Sequence, residues 1–265
     1  MSKPSILFFP GSFVLVSGYQ PIFAAVTKVG YEIKGIHPPS IGPRSREGRE
    51  GPGPTMYDDA NVVAQEVEKL AEQGKDVILF GHSYGGGPIS QSTKGLSKEE
   101  RKAQGKEGGI VRLAYITAVI PAIGKSAQDV LHGTREEGDM PVSVNENGWV
   151  LQSDPAATAR FVAQKLPPEQ GEAVVRGFAK HSGASFGSQL THQGYKDIPV
   201  SYLFCEDDLC VPPGVQRAGI DMIEQVSGKK VDVTSIKADH CPNLSFEEET
   251  IFWVLDVAKK VEKDG

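Results

Sequence analysis

The sequence predicts an α/β fold built on a mainly parallel six-stranded sheet, and two observations carry that reading. Short aliphatic runs bounded by turn residues recur at 6–9, 31–36, 77–80, 111–119, 200–204 and 231–236. Runs this short, apolar on both faces, suit strands buried inside a parallel sheet. Segments with helical periodicity lie between them, and strand alternating with helix specifies parallel pairing through crossovers.

Each element has its own local signal. The first strand, Ile6-Leu7-Phe8-Phe9, is cut by Pro10-Gly11. A helix over 21–29 has Pro21 at its start and Gly30 after its end. The helix predicted over 57–73 carries Val62, Val63, Val67, Leu70 and Ala71 on one face, with Gly74 as its stop. The strand at 77–80 runs into Gly81-His82-Ser83-Tyr84-Gly85 and a glycine-rich helical start. Residues 94–109 form a polar excursion, and the run from Ser97 to Lys102 reads as a solvated helical turn. Beyond 121 the alternation fails. From there to about 197 two helical patterns occur, 154–166 with Asp154 as N-cap and 168–180, and no clear strand. This insertion is expected to be a helical cap over a core formed by 1–120 and 198–265, the whole being one domain. The last helix, 245–261, opens with a capping box from Ser245 to Glu248 and presents Ile251, Phe252, Leu255 and Ala258 on one face.

Composition removes several function classes. The 265 residues are ample for a substantial core, and 39% apolar residues exclude a disordered chain. A net charge of −6 without a basic tract argues against a nucleic-acid partner. Three cysteines cannot form a disulfide framework and fit a reducing compartment. The apolar stretch at 6–9 is too short for a signal-peptide core, and nothing approaches the ~20 apolar residues of a membrane span. A soluble cytoplasmic protein with no membrane partner is expected.

The chemistry-bearing signal is Gly81-His82-Ser83-Tyr84-Gly85, the G-x-S-x-G pattern of a nucleophile elbow between strand and helix. Flanking glycines are needed because side chains there would collide with neighbouring backbone. The pattern alone is weak, and a second match, Gly183-Ala184-Ser185-Phe186-Gly187, follows a charged helical stretch with no strand before it. Context therefore selects Ser83. A serine hydroxyl needs a base, and the base needs an orienting acid. In this architecture both follow the nucleophile, at the ends of late strands. His240 follows the strand at 231–236 and is the base candidate. The acid comes from Glu206, Asp207 or Asp208, only one of which can reach His240; Asp239 adjoins the base but points away. Acyl transfer also needs backbone N–H donors for an oxyanion. Tyr84, after the nucleophile, and Ser12, in the turn after the first strand, are the candidates; a plain loop is the competing reading of that turn. Gly11, Phe13, His82, Trp149, His192 and Cys241 are candidate substrate contacts. His181 and His192 lie in the insertion, where capping or exposure is the blander reading. Cys205, Cys210 and Cys241 lack metal-ligand spacing, and no phosphate-cradling motif is present.

With Pro10-Gly11, the elbow, Asp208 and Ala238-Asp239-His240 in place, the chain resembles the α/β-hydrolase superfamily over nearly its whole length. Within it, the chain looks like the cofactor-free group of methyl esterases and hydroxynitrile lyases, with segments such as Thr55-Met56-Tyr57-Asp58-Asp59 most like fungal members. The resemblance implies an α/β-hydrolase fold. It also implies Asp208 as the acid, since Pro212 and Gln216 follow it with the group's spacing. The lyases carry Thr where this chain has Gly11, and Lys where it has Cys241; the second absence argues against cyanohydrin chemistry. The esterases usually carry His where this chain has Pro10.

The resulting expectation is a serine esterase acting on a small apolar or aromatic ester or lactone. It would use a Ser83–His240–Asp208 triad and no metal or cofactor. A lyase, cyclase or C–C bond-cleaving enzyme using His240 as base, and a catalytically silent small-ligand binder, are the alternatives. A homodimer is compatible with the sequence, which leaves the oligomeric state open.

Overall fold

The computed structural model describes residues 3–134 and 140–264. Its strands are β1 (Ser5–Phe9), β2 (Ile33–Gly35), β3 (Asp76–His82), β4 (Gly109–Ile116), β5 (Val142–Val144), β6 (Trp149–Gln152), β7 (His181–Ser182), β8 (Val200–Cys205) and β9 (Asp232–Ile236). Six of them form one sheet in the order β2-β1-β3-β4-β8-β9, all pairs parallel. The helices are α1 (Gln20–Lys28), α2 (Met56–Ala71), α3 (Gly86–Gln91), α4 (Lys98–Ala103), α5 (Ala127–Leu131), α6 (Pro155–Val162), α7 (Pro168–Arg176), α8 (Gly183–Gly187), α9 (Pro213–Ser227), α10 (Pro242–Ser245) and α11 (Glu247–Asp264). This is the α/β-hydrolase fold, with a small antiparallel insertion.

Strand alternation divides the core into two layers. Leu7, Phe9, Val77 and Leu79 pack with Val63 and Val67 of α2 and Ile220 of α9 on one face. Ile6, Phe8, Ile78 and Phe80 pack with Ile22 and Val26 of α1 and Val254 and Val257 of α11 on the other. The chain leaves β1 toward the β2 edge and then returns to β3 on the opposite side of β1. That reversal is a topological switch point, and it opens a crevice at the C-terminal ends of β1 and β3. The turn after β1 and the elbow after β3 both emerge there.

Four expectations are corrected. The insertion is not purely helical: β5, β6 and β7 form a three-stranded antiparallel sheet beside α6 and α7. The fourth strand stops at Ile116 rather than 119, because Thr117 takes a left-handed conformation with φ 35°. The Ser245 capping box does not form. Ser245 ends the separate helix α10, and its hydroxyl donates to Asp239 and to the Cys241 carbonyl instead. The turn at 97–102 is not simply solvated, since Arg101 is buried and donates to the carbonyls of Glu107 and Gly108. Among the described residues, no helix is long and apolar enough to cross a membrane.

Candidate active site

The elbow is built by close packing around glycines. Ser83 sits at φ 52°, a conformation that costs a non-glycine residue energy and persists only where its surroundings enforce it. A Cβ on Gly81 would lie 2.8 Å from the Gly85 carbonyl oxygen, and one on Gly86 would lie 2.4 Å from that of Val119. The second G-x-S-x-G match forms the short helix α8. Contrary to expectation, a strand does precede it, the two-residue β7 of the insertion sheet. Ser185 is nevertheless no elbow, since its hydroxyl donates to the Ser182 carbonyl of its own turn.

Ser83 Oγ lies 2.8 Å from His240 Nε2, and His240 Nδ1 lies 2.7 Å from Asp208 Oδ2. Because a carboxylate only accepts, Nδ1 carries the proton and Nε2 accepts from the serine hydroxyl. Asp208 is fully buried, and the backbone N–H groups of Cys210 and Val211 donate to its Oδ1 at 2.7 and 2.8 Å. The Thr117 hydroxyl donates to its Oδ2. Four donors thus fix the carboxylate in one orientation. Burial works against a charged His240, but the Asp208 carboxylate outweighs it, with a smaller contribution from Cys210. The imidazole is held well above its ordinary value. The other two acid candidates are engaged elsewhere: Glu206 accepts from Ser235, and Asp207 pairs with Lys165 at 2.6 Å. Asp239 accepts from the backbone N–H groups of Lys165 and Cys241, and from Ser245.

The turn after β1 is pinned on both sides of Ser12. Gly11 N–H donates to the Tyr19 hydroxyl at 3.0 Å, and Phe13 N–H donates to His181 Nδ1 at 3.3 Å. Among the described residues nothing accepts from the Ser12 N–H. The Tyr19 hydroxyl in turn donates to His82 Nδ1 at 2.6 Å, and His82 Nε2–H donates to the His240 carbonyl at 2.7 Å. Burial, and secondarily its neighbour His240, lowers His82 to about 3, so it stays neutral and can both accept and donate. Burial likewise lowers His181 to about 3. Its Nε2–H faces the hydroxyls of Ser40 and Ser185, each 3.0 Å away. Ser40 passes the chain on to the buried Asp59, which also accepts from Tyr84 Oη at 2.7 Å. Burial raises the Asp59 carboxyl to about 6 despite these donors.

A cavity of about 390 Å³ opens above Ser83 and His240. Leu131, Met140, Val150, Val162, Phe178 and Phe186 supply much of its wall. No Asp, Glu, Lys or Arg stands among the described lining residues. Gly11, Ser12, Phe13, His82, Tyr84 and Cys241 border it. Trp149 and His192 do not. Trp149 faces the other side of β6, packs on Gly48 and donates to the Gly51 carbonyl. His192 lies against Thr93 at 2.9 Å. Sequence reasoning missed Tyr19, Thr117 and Asp59, whose partners are distant in the chain. It also missed the lining from the insertion sheet, for which a signal existed: Asn147-Gly148 between Val142-Ser143-Val144 and Trp149-Val150-Leu151 marks a hairpin.

Residues 6–251 match the model of the alpha/beta hydrolase family. A probable hydrolase from a Phoma species is 34% identical over 249 residues, covering 94% of this chain and 96% of that protein. An alpha/beta hydrolase from Aspergillus novofumigatus is 31% identical over 259 residues, covering 97% and 98%. Among solved structures, a pyrethroid hydrolase from Sphingobium faniae superposes with a TM-score of 0.72 at 20% identity, covering 97% of this chain and 98% of that one.

Proposed function

The chain belongs to the alpha/beta hydrolase family, and from that premise we propose that it is a serine esterase for a small, uncharged, apolar or aromatic carboxylic ester or lactone. One observation carries the reading: the hydrogen-bonded line Ser83–His240–Asp208 ends in a cavity whose described lining lacks charged Asp, Glu, Lys and Arg side chains. Ser83 Oγ attacks the ester carbonyl while His240 Nε2 takes its proton. Asp208 stabilises the imidazolium that forms. The N–H groups of Ser12 and Tyr84 receive the developing oxyanion. Collapse of the tetrahedral intermediate expels the alcohol, which His240 protonates. Water, deprotonated by His240, then releases the acid from Ser83.

Labelling with a fluorophosphonate tests this reading. Wild type is expected to label at Ser83, and Ser83→Ala is expected not to label. A folded wild type that fails to label would overturn the acyl-enzyme mechanism. So would substrate turnover that survives in Ser83→Ala, an outcome that points to His240 acting as a base on its own.

A further inference from the structure

Gln152 is a buried polar side chain that the insertion contributes to the cavity. It ends β6, and the two-residue period of a strand puts Val150 and Gln152 on the same face. Both line the cavity, as does Val142, which pairs directly with Gln152 across the hairpin. The side chain is only 2% exposed. Its Oε1 accepts from the Thr158 hydroxyl of α6 at 3.0 Å, and Thr158 is itself fully buried. That bond anchors one end of the amide and leaves the other end toward the cavity. The Nε2 group, with two protons to donate, has no acceptor among the described residues, yet it is not among the polar atoms sealed away from the cavity. Val142, Val150 and Val162 line the same cavity, whose wall is mostly apolar. Buried polar groups in folded proteins are nearly always hydrogen-bonded, so a donor held in an apolar wall calls for an acceptor arriving with the ligand.

We propose that Gln152 is a specificity residue whose amide nitrogen donates to a second oxygen, carbonyl or ether, on an otherwise apolar substrate. The proposal rests on the esterase reading for which carbonyl is cleaved, and adds what the far end of the molecule carries. The apolar wall rewards hydrocarbon of any shape, whereas one fixed donor discriminates between molecules of equal size. A site built to hydrogen-bond a substrate group also disfavours the analogue that lacks it, since the donor is then left unpaired.

Binding, rather than turnover, separates this proposal from the reaction mechanism. The full chain carrying Ser83→Ala is titrated with methyl decanoate and with its mono-keto isomers, the ketone scanned along the chain. At least one keto isomer is expected to bind about tenfold more tightly than the parent ester, the scale of one well-made hydrogen bond. Adding Gln152→Leu is expected to abolish that preference while leaving methyl decanoate bound as well or better. Adding Gln152→Met, which keeps the length but offers no donor, is expected to abolish it too. The proposal is overturned if no keto isomer surpasses the parent, if no member of the series binds, or if the preference survives both substitutions. The first comparison needs no Gln152 variant, so misfolding of either one does not protect the proposal. Fluorophosphonate labelling without a keto preference would sink the Gln152 assignment alone. A keto preference without labelling would sink the esterase reading alone.

Discussion

The Tyr19 hydroxyl lies 2.6 Å from His82 Nδ1 and bridges the two halves of the site. On one side it accepts from Gly11 N–H, which fixes the turn after β1. On the other, His82 donates to the backbone carbonyl of His240, which fixes the loop carrying the base. One buried tyrosine thereby sets the spacing between the Ser12 N–H and the imidazole.

Removing that hydroxyl with Tyr19→Phe leaves Gly11 N–H and His82 Nδ1 without partners in a dry interior. A stability loss of about 1–3 kcal/mol is expected, because buried groups then go unsatisfied. The loss in kcat should be about tenfold with KM nearly unchanged, since transition-state geometry suffers more than substrate binding. Denaturant unfolding and steady-state kinetics check the two parts separately. A rise in KM at constant kcat would contradict the bridging role.

Asp208 holds His240 well above the ordinary imidazole value of 6.5. The base works only when neutral, so activity is expected to rise with pH through a midpoint above 6.5. Asp208→Asn should lower that midpoint and reduce kcat by on the order of 10³–10⁴-fold, because the imidazole loses its tautomer partner. For stability the sign is the reverse. The protonated imidazole is favoured in the folded protein, so this contribution is complete below 6.5 and is lost as pH rises through the raised folded value. A pH–rate profile of wild type and variant tests the first statement, and unfolding at several pH values tests the second.

Asp59 offers a second pH signature. Its folded carboxyl sits at about 6 against an ordinary 3.8. Between those values the folded protein holds a proton that the unfolded chain releases, so stability from this group is gained on acidification from 6 toward 4 and lost above 6. Asp59→Asn cannot titrate and is expected to flatten that window. Denaturant midpoints across the window, compared between wild type and variant, provide the measurement; an unchanged slope would remove Asp59 from the account.

Two glycine substitutions separate steric need from conformational need. Gly86→Ala would put its Cβ 2.4 Å from the Val119 carbonyl oxygen, and a loss of about 1–3 kcal/mol is expected. Gly214, in the first turn of α9, has open space around the added Cβ, so Gly214→Ala is expected to be neutral or to stabilise by up to about 1 kcal/mol. Thermal unfolding of both variants distinguishes the cases.

The sheet and the elbow were legible because each has a local signature. Buried parallel strands read as aliphatic runs, and the elbow glycines mark a turn that side chains cannot enter. Asp208 is harder, since three consecutive acids share one loop, and in the sequence only the family resemblance, through the spacing to Pro212 and Gln216, chooses among them. Thr117 and Tyr19 carry no local signal at all, because their partners lie 91 and 63 residues away. The insertion was misread for a different reason. Its strands are as short as two and three residues, so helical periodicity on either side dominated, although Asn147-Gly148 announced the hairpin. This matters at the site. Without a recognised strand there is no alternation to read, so Trp149 stands out while Val150 and Gln152, which line the cavity, carry no signal of their own.

His181 belongs to the insertion sheet, yet its Nδ1 holds the N–H of Phe13 beside the reacting centre. The segment that lines the cavity is therefore also a structural part of the turn that floors it. Protein engineers who graft a foreign cap onto this core to obtain a new substrate range would remove that acceptor along with the old pocket. A chimera that retains residues 179–185 and exchanges only the hairpin and the two helices before them keeps both partners of Phe13, the Ala179 N–H and His181 Nδ1, and marks where this molecule can be cut and recombined.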